Sequence, residues 1–447
     1  MSKLGDFINV KHGFAFKGEF ITTKVNNNCL VTPGNFAIGG GFKSDKFKFY
    51  TGEIPREYIL EENDLIVTMT DLSKEADTLG YSALVPKIEN KIMLHNQRIG
   101  LIELKNKNID KEYLYFLLRS KEYRHHIVSS ATGSTVKHTS PSRILSFEFE
   151  CPSLEYQQWA AKQLMDIERK IQLNTQINQT LEQIAQTIFK SWFIDFDPVH
   201  AKANALANGQ TLEQATQAAM AEISGKNTQE LHRLQTANPE QYQQLWEIAE
   251  TFPSGFDEEG VPRGWGLSTI DENYNVVMGQ SPKGETYNEE SNGALFYQGR
   301  AEFGWRYPEP RLYTTDPKRI AKKGNILMSV RAPVGDLNVV LEDCCIGRGL
   351  AALSHKSNSL SFGLYQIKNL QNEFDIFNGE GTVFGSINQK DLKAIKVINP
   401  SFKIIKLFDD VCSSNELQIE NLSREIIFLR KIRDELLPKL LSGEIHL

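Results

Sequence analysis

The chain carries two similar segments that stand 248 residues apart. GSTVKHTSPSRILSFEFECPS begins at Gly133, and GTVFGSINQKDLKAIKVINPS begins at Gly381. In both segments the glycine stands nineteen positions before a Pro-Ser pair, and the same offset carries Trp192 onto Leu440 in a second set of apolar residues. Because a long-period repeat indicates a duplicated structural unit, the chain is predicted to contain two equivalent binding units, each followed by an equivalent helix.

The repeat extends upstream with small shifts, as expected of loop insertions. This alignment places Lys17 opposite Lys283 and Arg98 opposite Arg348. The matched segments are 10–13 with 277–279, 16–18 with 282–284, 64–70 with 325–331, and 96–101 with 346–350. Each match is weak by itself, but the shared order within each half supports the duplication.

Composition narrows the class of protein. At 447 residues the chain is long enough for two or three domains, and its formal net charge of −6 does not by itself indicate a nucleic-acid binder. The number of cysteines, five, is odd, which is typical of a protein in a reducing cytoplasm. No two cysteines have CxxC spacing, so no metal site is predicted. The N-terminus lacks signal-peptide features, and since no apolar run approaches ~20 residues, no membrane segment is predicted.

Periodicity predicts an α+β fold in five parts. Short strands and turns fill 1–150 and again 263–399, with a short helix expected at 111–120. Helical periodicity occupies 151–197 and 400–447, and a polar, mostly helical connector spans 198–262, with breaks at Asn208-Gly209 and Ser224-Gly225. We expect the two long helices, ~40 residues and about 60 Å each, to pack antiparallel as a coiled coil with one α/β unit at each end.

The apolar stripes of these helices predict their interface. Ser153 is expected to cap the first helix, Asn174 and Asn178 to be buried in its stripe and fix register, and Pro438 to end or kink the second helix. An ordinary core helix is the alternative interpretation. The predicted helix–helix or subunit interface comprises Ile167, Ile171, Ile177, Leu181, Ile184, Ile188, Trp192, Val411, Leu422, Ile426, Leu429, Ile432 and Leu436.

Several motifs resemble the specificity (S) subunits of type I restriction-modification systems, in the family's order along essentially the whole chain. IFKSWFIDFDP at 188–198 is similar to the family's central region, and LLPKLLSGEI at 436–445 to its C-terminal end. The segment 256–265, Gly279-Gln-Ser-Pro282 and Ser329-Val-Arg-Ala-Pro333 resemble parts of its second recognition domain. The N-terminus departs from the pattern, because it lacks a counterpart of Pro262-Arg-Gly-Trp265.

The resemblance implies a non-catalytic subunit that binds double-stranded DNA. Each α/β unit would be a target recognition domain for one half of an asymmetric, bipartite site, and the helices would set the gap and bind two modification (methyltransferase) subunits. S-adenosylmethionine, ATP and Mg²⁺ would belong to the modification and restriction subunits. Two such units on a ~60 Å rod could contact major-groove segments one helical turn or more apart.

The candidate DNA-contacting residues have side chains suited to base edges or phosphates, since Arg pairs with guanine, Gln with adenine, and Lys and Thr with phosphate. For each of them, a solvated surface cation or a turn residue is the alternative interpretation. The candidates are Lys17, Arg98, Thr135, Lys137, His138 and Arg143 in the first unit, and Lys283, Gln298, Arg300, Arg306, Arg331, Arg348 and Gln389 in the second.

Parts of the sequence also suggest two other functions. Asn399-Pro-Ser-Phe402 approaches the Asn-Pro-Pro-aromatic motif of amino-methyltransferases, but the repeat aligns it with 151–154, the turn before the other long helix. A non-catalytic coiled-coil scaffold for protein partners is the second alternative. Salt-dependent DNA binding would separate a DNA-binding subunit from a scaffold, because phosphate contacts release counterions.

Overall fold

A computed structural model describes residues 1–44, 46–73, 75–133, 136–379 and 385–445. The chain divides into two compact units, Met1–Leu173 with Ile427–Leu447, and Asn174–Ile426. Leu154–Phe193 forms the central long helix and Phe402–Leu441 the C-terminal long helix, and each contributes to both units. The predicted α+β fold with two sheet-containing domains and two long helices is confirmed. Within the described residues, no helix has the length and apolar character needed to cross a bilayer.

The first domain is built on two main sheets. One is antiparallel and is ordered Ile8–His12, Ile99–Leu104, Leu65–Thr68, Ser82–Leu84; the other is mixed and is ordered Ile21–Thr22, Lys48–Tyr50, Asn28–Val31, Ile92–His95, Ile59–Leu60. Smaller pairs join Ser2–Lys3 to Glu148–Phe149 and Lys137–His138 to Thr70–Asp71. The helices are Lys111–Leu117, Lys121–Ser129 and Pro141–Leu145, with 3-10 turns at Leu4–Asp6, Gly18–Phe20, Pro33–Asn35 and Arg56–Tyr58.

The second domain repeats the strand order of both main sheets. Its antiparallel sheet is ordered Tyr274–Met278, Leu350–His355, Ile326–Ser329, Leu337–Val339, and its mixed sheet Tyr287–Asn288, Leu312–Thr314, Ala294–Tyr297, Cys344–Ile346, Ile320–Ala321. Gly266–Thr269 pairs with Lys396–Asn399, as the first strand pairs with the last in the other domain. The helices are Ile270–Asn273, Leu360–Lys368, Gln371–Asp375 and Gln389–Ala394, with 3-10 turns at Gly284–Thr286, Arg300–Glu302 and Ile376–Asn378. The matching strand orders confirm the duplication.

The connector is helical, as predicted. Its helices are Asp197–Ala207, Leu212–Ser224, Thr228–Ala237 and Pro239–Thr251. The first two end where glycines were expected to break them, and Gly209 and Gly225 both adopt positive φ, at 78° and 64°. Glycine is favoured at these positions because a left-handed backbone is costly for other residues.

The two long helices run antiparallel within each unit. In the first unit, the Tyr156 hydroxyl near the start of the central long helix donates to Leu440 O at 3.0 Å, near the end of its partner. In the second unit, Asn178 Nδ2 donates to Ser423 Oγ at 3.1 Å, while Asn174 Nδ2 reaches Glu425 Oε2 at 2.8 Å. Both asparagines are fully buried, as predicted. Ser153 accepts from Tyr156 N through its hydroxyl at 3.3 Å, which confirms the predicted cap.

The predicted apolar stripe is displaced by about one residue over part of each helix. Ala185 and Phe189 are buried while Ile184 is 44% exposed, and Cys412 is buried while the neighbouring Val411 is exposed. The helix pair therefore does not bury Ile184 and Val411, and for these two residues the subunit-interface alternative stays a prediction. Polar residues occupy inward positions of the true stripe, so apolar residues alone trace it poorly. Of the other predicted interface residues, the buried ones are Ile171, Trp192 and Ile426, and the partly buried ones are Ile167, Ile177, Leu181, Ile188, Leu422, Leu429, Ile432 and Leu436.

Pro438 does not end its helix. The C-terminal long helix continues to Leu441, and Ser442 N donates to Pro438 O at 2.9 Å. The missing N–H of a proline costs one intrahelical hydrogen bond, and here the helix extends only three residues further. Of the two predicted effects, an end of the helix at Pro438 is not observed, and a kink there stays a prediction.

Candidate nucleic-acid interface

In the first domain, three candidate residues gather beyond one end of the strand Leu65–Thr68. Lys137 and His138 form a short strand that pairs with Thr70–Asp71, and the Thr70 hydroxyl and His138 Nδ1 are hydrogen-bonded at 3.1 Å. Arg98 joins them through its backbone, because Met69 N donates to Arg98 O at 2.9 Å. The side chains of Arg98 and His138 are exposed and that of Lys137 is partly exposed. A cation, an imidazole and a guanidinium thus share one edge of the domain.

The remaining first-domain candidates lie elsewhere. Lys17 is exposed just before the turn Gly18–Phe20, and Arg143 is half-buried in the helix Pro141–Leu145. Thr135 lies outside the described residues. Lys17 and Arg143 therefore stay predictions without support from a shared site.

Asp71, beside this edge, has a structural role. Its Oδ1 accepts from Ser73 N at 2.7 Å, and its Oδ2 accepts from the hydroxyl of Thr78 at 2.7 Å and from the backbone N of Thr78. Burial alone would raise the pKa of Asp71, but these hydrogen bonds hold the pKa below its ordinary value. The carboxylate therefore stays ionised and holds the backbone at Ser73 and Thr78.

The backbone corrects one predicted equivalence. Met69 N donates to Arg98 O, and the matched Val330 N donates to Gly349 O, both at 2.9 Å. Arg98 therefore corresponds to Gly349, and the predicted match of Arg98 with Arg348 is wrong by one residue. The match of Lys17 with Lys283 is confirmed, since each immediately precedes the equivalent 3-10 turn.

In the second domain, four candidates line one cleft of about 390 Å³. They are Gln298, Arg300, Arg331 and Arg348, and Arg311 lines the same cleft. Four guanidinium groups and an amide thus converge on a concave surface, a set of donors suited to phosphates and base edges. The other lining residues are Ser281, Gly299, Ala301, Glu302, Ser329, Ala332 and Gly349.

Two of the cleft's arginines are paired with carboxylates. Arg300 Nε lies 2.7 Å from Asp336 Oδ2, and Arg311 Nη2 lies 2.7 Å from Glu302 Oε1. Glu302 is itself buried, at 6% exposure, so it anchors Arg311 firmly. These pairs orient two guanidinium groups and reduce their net positive charge.

Lys283 and Gln389 are exposed but are not among the residues that line this cleft. Lys283 lies 3.8 Å from Glu285 Oε1, and both side chains are more than three-quarters exposed. Gln389 is the first residue of the helix Gln389–Ala394. Both stay predictions as DNA contacts.

Arg306 is not a DNA contact. Its guanidinium is buried between Glu182 of the central long helix, at 3.4 Å, and Glu416 of the C-terminal long helix, while only 3% of its side chain is exposed. Burial alone would lower the pKa of Arg306, but the carboxylates of Glu416 and Glu182 raise it. The prediction that Arg306 binds DNA is therefore wrong, because this permanently charged group is enclosed within the second unit.

Sequence reasoning missed several residues at these edges. Arg311 was overlooked, although it directly follows the segment Pro308-Glu-Pro310, which signals a loop. Thr70 was overlooked because its contact with His138 joins positions 68 residues apart. Gln97 was overlooked because the alignment had placed Arg98 opposite Arg348. A structure-based register was needed to find the last two.

A family model for the type I restriction modification DNA specificity domain matches residues 1–183 and 262–424. The chain belongs to the type I restriction-modification DNA specificity family. The two matches coincide with the two sheet-containing domains and most of the long helices, so the family's specificity domain occurs twice. Family membership confirms the predicted resemblance and does not favour the scaffold interpretation.

Known proteins of this family resemble the chain over much of its length. The type I restriction enzyme HindI specificity subunit of Haemophilus influenzae is 35% identical over 365 residues, 75% of this chain and 77% of that protein. A putative type I restriction enzyme MjaX specificity subunit of Methanocaldococcus jannaschii is 34% identical over 197 residues, 42% of this chain and 44% of that protein.

A solved structure shares the fold. The crystal structure of the type I restriction-modification S subunit from M. genitalium aligns with 98% of this chain and 95% of its own, with a TM-score of 0.51 and 16% identity. At this identity the likeness supports the fold of the specificity family alone.

Proposed function

We propose that this chain determines the DNA sequence specificity of a type I restriction-modification complex, with each sheet-containing domain contacting one half of an asymmetric, bipartite site. The observation that carries the proposal is the duplicated domain: the family model matches both copies, yet corresponding positions in the two copies hold different side chains. Two related domains with different contact residues suit two different half-sites.

The long helices are proposed to bind two modification subunits. Each carries large apolar side chains that this chain leaves exposed, including Leu173 at 51%, Leu417 at 61% and Phe428 at 63%. Apolar surface of this kind on a helix is typical of an interface with another protein. Ile184 and Val411, which are not buried in the helix pair, belong to the same class of candidate.

Catalysis is proposed to lie in the partners. Modification subunits would supply S-adenosylmethionine-dependent methylation, and restriction subunits the ATP- and Mg²⁺-dependent cleavage. This chain would contribute target selection, in the cytoplasm, without a cofactor of its own.

The proposal is tested by mapping methylated bases. The chain is co-expressed with the modification subunit from its own locus in a host without DNA methylation, and methylated adenines are mapped by single-molecule sequencing. We expect an asymmetric, bipartite motif that appears only when both proteins are present. A stable complex of the two proteins that leaves the DNA unmethylated would refute the proposal.

A second measurement separates DNA binding from scaffolding. Affinity for duplex DNA should fall as salt rises, with a slope of about −0.9 in log K against log salt concentration for each phosphate contact. A scaffold that binds only proteins would show no such dependence. The purified complex with the modification subunit is the appropriate sample, because the exposed apolar helix surface favours aggregation of the isolated chain.

A further inference from the structure

The cleft of the second domain contains two kinds of arginine. Arg300 and Arg311 are held by carboxylates, as described above. Arg331 and Arg348 are exposed and have no ion-pair partner within the described part of the chain. They are therefore the guanidinium groups in this cleft that are free to pair with a ligand.

Their backbones are fixed although their side chains are free. Arg331 follows the strand Ile326–Ser329 and forms a bridge with Ser386, and Arg348 N donates to Ser281 Oγ at 3.2 Å. Arg348 also directly follows Gly347, whose N donates to Tyr297 O at 2.8 Å. A side chain projecting from a fixed backbone loses less entropy on binding, which favours a specific contact over a mobile one.

We propose that Arg331 and Arg348 recognise guanine in the half-site contacted by the second domain; this inference rests on the proposed function. The planar guanidinium donates two parallel hydrogen bonds to guanine O6 and N7, and this geometry discriminates against the other bases. Gln298, on the same cleft, supplies an amide next to them, so the cleft has the donors and acceptors of a base-contacting surface rather than of a simple cationic patch.

The equivalent positions of the first domain do not hold arginines. In the register set by the backbone, Thr70 corresponds to Arg331, and Gln97 corresponds to Arg348. Neither is charged, and Thr70 is buried against His138. Guanine recognition through this pair of positions therefore belongs to one half-site, and the two halves are recognised by different chemistry.

The test compares charge-conserving and charge-removing variants. Arg348→Lys and Arg331→Lys keep the positive charge but lose the two-bond geometry, whereas Arg348→Gln and Arg331→Gln lose both. Arg319→Gln is the matched control, because Arg319 is an exposed arginine of the same domain that does not line the cleft. Each full-length variant is co-expressed with the modification subunit, and its methylation motif and salt-dependent DNA affinity are measured.

We expect each lysine variant to relax one guanine position in a single half-site by about tenfold, with the other half-site unchanged. The Arg319→Gln control should give the unaltered motif. If instead the glutamine variants weaken binding uniformly, reduce the salt slope by about one and leave the motif intact, the two arginines contact phosphate and the inference is overturned.

The outcomes for the inference and for the proposed function are distinct. A bipartite motif with the unaltered chain that all four variants reproduce overturns the guanine assignment alone. Absence of any motif with the unaltered chain overturns the proposed function, and the guanine assignment with it.

Discussion

Arg119 donates to Glu168 at 2.8 Å from a position where only 3% of its side chain is exposed. Glu168 also accepts from Arg433 of the C-terminal long helix at 3.1 Å, so one carboxylate ties a domain arginine to both long helices. The repeat offset carries Glu168 onto Glu416, which holds the buried Arg306 in the second unit. Each recognition domain is thus fastened to the helices by a buried arginine and an equivalent glutamate.

The Glu168→Gln substitution is expected to destabilise the chain by about 2–3 kcal/mol. Removing one partner of a buried pair leaves an uncompensated charge, although Arg119 keeps its bond to Gly39 O at 2.7 Å. Urea-induced unfolding measures the loss. Asp166→Asn is the matched control on the same helix, because Asp166 and its partner Arg169 are both more than half exposed, and surface pairs contribute about 0–1 kcal/mol. Equal stability of the two variants would contradict a structural role for Glu168.

The pH dependence of this contact follows from its pKa. Burial alone would raise the pKa of Glu168, but Arg119 and Arg433 hold it below its ordinary value. The unfolded chain therefore binds the proton more readily than the folded chain, so this stabilisation is present above the ordinary glutamate pKa and is lost as pH falls through the folded value. Below that pH, Glu168→Gln should differ little from the unaltered chain, and unfolding across an acid series checks this.

Substituting alanine at Gly13 or Gly279 is expected to damage one domain each. A Cβ on Gly13 would lie 2.1 Å from Asn96 O, and one on Gly279 would lie 2.1 Å from Gly347 O. Since a backbone carbonyl cannot move aside freely, each change should cost about 2–3 kcal/mol. Thermal unfolding measures the cost, and the methylation motif should degrade mainly in the half-site of the altered domain.

Two other glycines provide controls for this pair. A Cβ on Gly18 or Gly284 would meet no atom within 4 Å, and these residues stand at equivalent places in the two domains. Gly18→Ala and Gly284→Ala should leave stability within about 0.5 kcal/mol of the unaltered chain. If they were as damaging as the changes at Gly13 and Gly279, the close backbone approach would not be the cause.

Local patterns in the sequence predicted local structure well. The helix Lys111–Leu117 and the Ser153 cap lie where they were expected, because helical periodicity and capping chemistry depend on neighbouring residues. The repeat predicted the matching strand orders, because two segments with similar sequences in the same order are expected to adopt the same fold. These features depend either on contacts between residues close in sequence or on a pattern that occurs twice in the chain.

Long-range contacts could not be predicted in the same way. Arg306 has the sequence context of an exposed loop cation, and its carboxylate partners stand 124 and 110 residues away. Glu182, at 8% exposure, occupies an inward position of the central long helix, although inward positions of a paired helix are usually apolar. An ion pair buried between distant segments defeats both the hydrophobic pattern and the expectation that cations are solvated, and this explains the error at Arg306.

Lys202 is expected to be essential for the connector. Its Nζ is buried and donates to Phe252 O at 2.7 Å and to Ala249 O and Glu250 O at 3.2 Å each, which satisfies carbonyls at the end of the helix Pro239–Thr251. Lys202→Met would leave these acceptors without their donor and should cost about 2–4 kcal/mol. Arg233→Met, an exposed change in the same connector, should cost little. Protease digestion of the connector, followed over time, reports the difference, and equal cleavage of the two variants would contradict the assignment.

His355 is expected to make the second domain sensitive to mild acid. The ring is packed between Tyr274 and Phe362, with centroids 4.9 and 5.1 Å away, and its Nδ1 accepts from Ser357 N at 3.1 Å. Burial, with a smaller contribution from Lys356, lowers the pKa of His355 to about 4 from an ordinary value of 6.5. Because the unfolded chain gains the proton first, the stability of the folded state should fall between pH 6.5 and pH 4 by up to about 1.4 kcal/mol per pH unit.

His355→Gln removes this titration and should flatten stability over that interval, although it also lowers stability at neutral pH through lost ring packing. His125→Gln is the control, since His125 is exposed in the helix Lys121–Ser129, and it should keep the slope of the unaltered chain. The measurement is the free energy of unfolding in urea, taken at half-unit steps from pH 7 to pH 4. Protonation of the Glu168 carboxylate lowers this free energy only near the acid end of the range. A slope that survives in His355→Gln would assign the acid sensitivity to other groups, with the fully buried His95, whose pKa burial also lowers, as the next residue to replace.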